Sequence, residues 1–435
     1  MRFISTRGGG SAQSLSNALA LGLAEDGGLF VPETFPSLPA LPPPGLSLAD
    51  TATQLIAPFF EGDALAPQLA AICTEALNFE VPVQPTTDPR TDVLELFHGP
   101  TAAFKDVGAR FLTACFTRLP RDHDAQPLTI LVATSGDTGG AVAAAFHQRA
   151  GFRVVVLYPD GRVSPRQAHQ LSCFGDNIHT YRVAGSFDDC QRMVKAAFAD
   201  AELRAALPLS SANSISLGRL LPQMSYYAHS ALAHQAKHGE LARYVIPTGN
   251  LGNALACLWA RRLGLPIGEV LLATNANRVL PEFIHSGEYR PRDSVATLAN
   301  AMDVGAPSNL ERLRHWLPEM AELRGAVSAA AIDDDRLSAI LRSAESRYGH
   351  TLCPHTAAAF AVIEDRRVAG DAGRFIAVAT AHPAKFDSVV EPLVGHAVPV
   401  PAPLAALLAR PAHATPMAAE DAALKHALLS NRRRC

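Results

Sequence analysis

The chain has 435 residues, 48% of them apolar and 18% charged, enough to bury large cores in two or three domains and too apolar for a disordered chain. A formal net charge of −3 argues against partners held by a basic surface, so neither nucleic acid nor an anionic membrane is expected. Seven cysteines are scattered with no CxxC pair, which fits reduced thiols better than a disulfide framework or a zinc site.

No apolar stretch approaches membrane-spanning length. The opening MRFISTRGGGSAQS has the Arg and Ser of a transit peptide but lacks the apolar core of a signal peptide, and it reads as mature sequence of a cytoplasmic protein. In the N-terminal unit, residues 1–90, Leu15, Leu19 and Leu23 have helical spacing, and a turn follows at Asp26-Gly27-Gly28. From residue 91 to 395 short apolar runs alternate with Ala/Leu-rich helices. LTILVAT (128–134) predicts a strand, SGDTG (135–139) a loop, residues 140–150 a helix capped by Gly151, and FRVVVLYP (152–159) the next strand. Residues 243–266 repeat the strand–loop–helix theme, and RFIAVAT (374–380) predicts another strand. This alternation predicts an α/β fold with a largely parallel sheet. After 396 the chain turns Pro/Ala-rich and then helical, and Arg432–Arg434 reads as a solvated tail.

Four loops carry residue types suited to chemistry. In HGPTAAFKDVGARF (98–111), Phe97, Phe104 and Phe111 provide the apolar surroundings that favour an uncharged, nucleophilic amine on Lys105. The alternative is a helix lysine reaching out to solvent beside Asp106. PTGNLGN (247–253) has the small residues of an anion cradle at a helix start, without the lysine of a P-loop or the spacing of a dinucleotide fingerprint; a tight turn without a ligand also fits. TSGDTGG (134–140) offers hydroxyl and N–H donors at a strand end, or an N-cap supplied by Thr138 or Asp137. TAHPAKF (380–386) ends a strand with the Thr380 hydroxyl, while His382 and Lys385 read equally as polar loop residues.

In order and combination, these motifs resemble the threonine synthase family of fold-type II pyridoxal 5′-phosphate (PLP) enzymes. STRGGGSAQSLSNALALGLAEDGGLFVPE (5–33), SANSISLGRLLPQ (211–223), NAMDVGAPSN (300–309) and CPHTAAA (353–359) are also similar to its signatures, so the resemblance covers roughly residues 2–395. It implies a tryptophan synthase β-like fold, with two α/β subdomains after an N-terminal domain. It implies PLP on Lys105 as a Schiff base, with Lys105 also the proton shuttle. Gly249, Asn250, Leu251 and Asn253 would cradle the cofactor phosphate, Thr380 would meet the ring nitrogen, and Asp137 would lie near the phenolic oxygen. Asn213, Ser214 and Arg219 would meet the substrate's phosphate. The segment reads NSISLGRL where family members commonly read NSINISRL, which removes polar groups at Ser216 and Gly218. Leu251 and Asn253 stand where Phe and Asp are frequent.

The implied reaction converts O-phospho-L-homoserine and water to L-threonine and phosphate, by a monomer or homodimer and without a metal. The rivals are a phospho-lyase or dehydratase of the same fold type, and a PLP-binding amino-acid sensor without catalysis.

Overall fold

The computed structural model describes residues 1–120 and 126–430, so the Arg432–Arg434 run lies outside the described residues. Two sheets dominate. The larger has six strands in the order Ser328–Ala331, Ile267–Thr274, Ala242–Pro247, Phe375–Ala379, Thr91–Glu95 and Val83–Pro85. All neighbours in it are parallel except the last pair. The smaller has five parallel strands in the order Thr415–Ala418, Ile178–Ala184, Phe152–Pro159, Leu128–Ala133 and Leu209–Ser211. Its Phe152–Pro159 strand is buried at every residue, as expected of a β-branched run covered on both faces.

The expected strands at 128–134, 152–159 and 374–380 are present within one residue at each end. The helix expected at 140–150 runs instead from Asp137 to Phe146. Neither Thr138 nor Asp137 caps it: Gly136 occupies the cap position at φ 134°, and the Thr134 hydroxyl accepts from the N–H groups of Gly136 and Gly139. A strand-end threonine therefore supplies the cap, and Asp137 is released for another partner.

The N-terminal segment is fastened to the body by polar contacts. Asp26 accepts from Ser5 Oγ and from the N–H groups of Gly9 and Gly28, closing the turn at Gly27 (φ 76°). Arg312, fully buried, donates to the carbonyls of Phe30 and Ile215 and to Asn309, joining three distant segments. The segment after 396 adds the edge strand Thr415–Ala418 and packs the helix Asp421–Ser430 against Phe187–Ala199. All six cysteines among the described residues are buried free thiols.

Candidate active site

The carboxyl ends of central strands in the larger sheet carry three of the four loops singled out in the sequence, and TSGDTGG follows the strand Leu128–Ala133 of the smaller sheet. The strand Phe375–Ala379 ends at Thr380, whose carbonyl accepts from the Phe104 N–H at 2.8 Å. The Ala102 carbonyl accepts from His382 N–H at 3.0 Å. TAHPAKF is therefore zipped onto the turn that starts the helix Lys105–Phe116, and Thr380 sits one residue from Lys105 in this pairing.

Asp106 is a tie within the turn. It accepts from the N–H and hydroxyl of Thr101 at 2.8 and 2.7 Å, and a Cβ on Gly99 would overlap its carboxylate. Ala102 takes φ 54°, a left-handed conformation that costs an alanine roughly 1–2 kcal/mol and that the surrounding bonds hold in place.

Lys105 is partly exposed, yet its amine is dehydrated by the protein around it. That dehydration, with the nearby charge of Arg219 opposing and Asp137 favouring protonation, lowers its pKa from 10.5 to about 7. Arg219 is buried beside the same helix, and a Cβ on Gly108 would meet its Nε and carbonyl at 2.8 Å. It donates to the Ala212 carbonyl at 2.5 Å, while its Nε is buried without a partner. Burial lowers its own pKa to about 10.

PTGNLGN joins the strand Ala242–Pro247 to the helix Gly252–Arg262. No side chain caps that helix, so its first N–H groups remain available to an anion. Leu251 holds φ 63° at its start, the second strained non-glycine in these loops. A Cβ on Gly249 would lie 2.8 Å from Met302 Cα, so NAMDV walls one side of the loop. Asn250 braces another side, donating to Ser214 Oγ at 2.5 Å and accepting from Ser308 N–H at 2.5 Å. The Asn253 carbonyl oxygen accepts from Tyr226 and Tyr227 at 2.5 and 2.7 Å, so this side chain points into the core. Its amide nitrogen is buried without a partner, and its backbone N–H lies in the first turn of the helix.

Asn213 and Ser214 are half-buried next to this loop, but Gly218 has a packing role. A Cβ there would meet Leu112 at 2.6 Å and Leu19 at 3.0 Å, so the departure in NSISLGRL admits the N-terminal helix. Ser216 Oγ and Thr248 Oγ1 are buried without partners.

Lys385, read in the sequence as a polar loop residue, is instead fully buried. Its Nζ lies 2.9 Å from Asp137 and donates to the Thr101 carbonyl at 2.7 Å. Gln167 donates to Asp137 at 2.9 Å and accepts from Asn300 at 3.1 Å. His355 Nε2 accepts from Ala301 N–H at 3.1 Å, and burial lowers that ring's pKa to about 4, so it is a neutral acceptor. These bonds carry the circuit from NAMDV through the Asp137 helix and back to the turn before Lys105. Lys385, Gln167 and His355 had no assigned role in the sequence. The S-x-x-Q capping box at Ser164 and Gln167 was readable there, but the second partner of Gln167 was not.

The donors on this surface suit PLP. A near-neutral amine, an uncapped helix start lined by glycines and buried hydroxyls without partners answer to an aldehyde, a phosphate and a polar ring.

Comparisons with known proteins agree. The chain matches the family model for pyridoxal-phosphate dependent enzymes over residues 93–380, and those for the threonine synthase N terminus and C-terminal region over 2–77 and 356–428. It is 38% identical to the threonine synthase of Escherichia coli over 423 residues, 96% of this chain and 97% of that one. Identity to the Serratia marcescens threonine synthase is 39% over 397 residues, 90% of each. The crystal structure of the E. coli threonine synthase superposes with TM-score 0.91 at 35% identity, covering 99% of this chain and 100% of that one. A PLP-bound threonine synthase from Brucella melitensis gives 0.88 at 34%, covering both chains completely. The chain belongs to the threonine synthase family of PLP-dependent enzymes.

Proposed function

We propose that this chain converts O-phospho-L-homoserine and water to L-threonine and phosphate in the cytoplasm, as a monomer or homodimer, with Lys105 carrying PLP. The observation that carries the site assignment is an amine of near-neutral pKa, one residue beyond the Phe104–Thr380 bond. Lysines with high pKa hold their proton at neutral pH, whereas Lys105 exchanges one readily. The cofactor, when bound, supplies an electron sink for negative charge developing on the substrate's carbon atoms.

The residues of the chain then divide the work. Gly249, Asn250, Leu251 and Asn253 offer backbone N–H groups and the positive helix end to the cofactor phosphate. Thr380 would offer its hydroxyl to the ring nitrogen without protonating it. Lys105 would move protons at the substrate's α and β carbons. Arg219, with Asn213 and Ser214, meets the substrate's phosphate as it leaves. Lys385 keeps Asp137 ionised and aimed at the site. We also propose the division into an N-terminal domain (1–90), a catalytic region (91–395) and a C-terminal segment (396–435).

Incubating the purified holoprotein with O-phosphohomoserine and assaying both products tests the reaction. Equimolar threonine and phosphate are expected. Phosphate without threonine would instead reveal a lyase lacking the water-addition step.

Arg219→Ala is expected to lower kcat/KM by about tenfold to a hundredfold, the loss of a charge-assisted bond of roughly 1.5–3 kcal/mol, while the cofactor stays bound. Removing that positive charge should also raise the Lys105 pKa, since Arg219 now lowers it. Amine-reactive labelling of Lys105 in the apoprotein at pH 7 should therefore slow. Parent-like kinetics and labelling would reject both roles.

A further inference from the structure

Away from the loops described above, the last turn of the helix Gln223–His238 faces the start of the strand Thr91–Glu95. His234 and His238, four residues apart, share one helix face, with ring centroids 4.8 Å apart. One donor atom from each, and one carboxylate oxygen of Asp92, all lie within 4.8 Å of one another. Asp92 and His234 are 6% and 5% exposed, and His238 is half-buried.

A second observation bears on what this cluster holds. His234 Nε2 is buried without a hydrogen-bond partner, and the nearest acid, Glu240, stands 3.6 Å away, beyond bonding distance. Arg374 borders the group at 3.9 Å from Asp92 and 3.3 Å from Glu240. Two carboxylates against one guanidinium leave one negative charge uncompensated.

We propose that Asp92, His234 and His238 form a binding site for a first-row divalent cation of the Zn2+ type. Two imidazoles and one carboxylate are a donor set that Zn2+ accepts and that Mg2+ and Ca2+, which take oxygen ligands, do not favour. Donors about 2.1 Å from a tetrahedral ion stand roughly 3.4 Å apart, so closing the site needs only small side-chain rotations. Water or Glu240 completes the fourth position. Asp92 is the second residue of its strand, whereas Lys105 and Thr380 follow strand ends, so the ion fastens the helix to the sheet away from the chemistry.

The test is a Zn2+ titration of chelator-treated holoprotein, followed by calorimetry and by thermal unfolding. One Zn2+ per chain is expected, with an unfolding midpoint that rises with free Zn2+. His238→Ala should weaken binding by at least about tenfold. His238→Gln, which keeps a polar residue on the helix, should weaken it too and guards against a misfolded alanine variant. No stoichiometric binding, or parent-like affinity in both folded variants, overturns the proposal.

Discussion

Lys105→Ala is expected to abolish turnover, with a loss on the order of 10⁴-fold, because one amine both tethers the cofactor and carries protons. Borohydride treatment of the parent holoprotein should fix the cofactor mass on the peptide containing Lys105. The variant should bind cofactor only through the phosphate cradle and release it on dialysis. The expectation follows from the dehydrated surroundings that bring the Lys105 pKa to about 7. Lys385 is the informative control, since it too is buried near the site but is already held by Asp137 and the Thr101 carbonyl. Finding the reduced adduct on Lys385, or on any other lysine, would show that the wrong amine has been assigned.

The α/β architecture was legible because its strands announce themselves locally. FRVVVLYP and RFIAVAT are apolar runs bounded by polar loops, and fully buried parallel strands require that pattern. The loops were legible as motifs, and the family resemblance drew on them in combination. The helix start at Asp137 was missed because its cap comes from Thr134, just past the strand end, which the local pattern does not mark. Lys385 was missed because a buried lysine looks like a surface one until its carboxylate partner, 248 positions earlier, is known. Gly218 shows the same dependence on long-range contact. In the sequence it looks like a lost polar group, and in the fold it is the point where Leu19 and Leu112 approach one another. His234 and His238 form a visible i,i+4 pair, but Asp92, which completes the cluster, lies far away in the chain.

Lys385→Met is expected to destabilise the protein by about 3–5 kcal/mol, since it leaves the buried Asp137 without its cation and with the bond from Gln167. In the parent, burial pushes the Asp137 pKa up, but the charge of Lys385 and the bond from Gln167 more than offset it, and the net shift is downward. A lowered carboxylate pKa contributes stability above the unfolded-state value, and that stability is lost as pH falls through the folded value. Without Lys385 the burial effect dominates and the pKa should rise. The folded variant then binds more protons than the unfolded chain between the two pKa values, so its stability falls as pH increases through that window. The deficit relative to the parent should accordingly be larger at pH 8 than at pH 5. Lys385→Met with Asp137→Asn removes the stranded charge while keeping an acceptor for Gln167, and it should recover most of the loss. Thermal or urea unfolding at saturating cofactor, at both pH values, measures all three proteins. If the double variant is as unstable as the single one, or the deficit does not change with pH, the cost lies in lost packing around the lysine stem and not in an uncompensated Asp137.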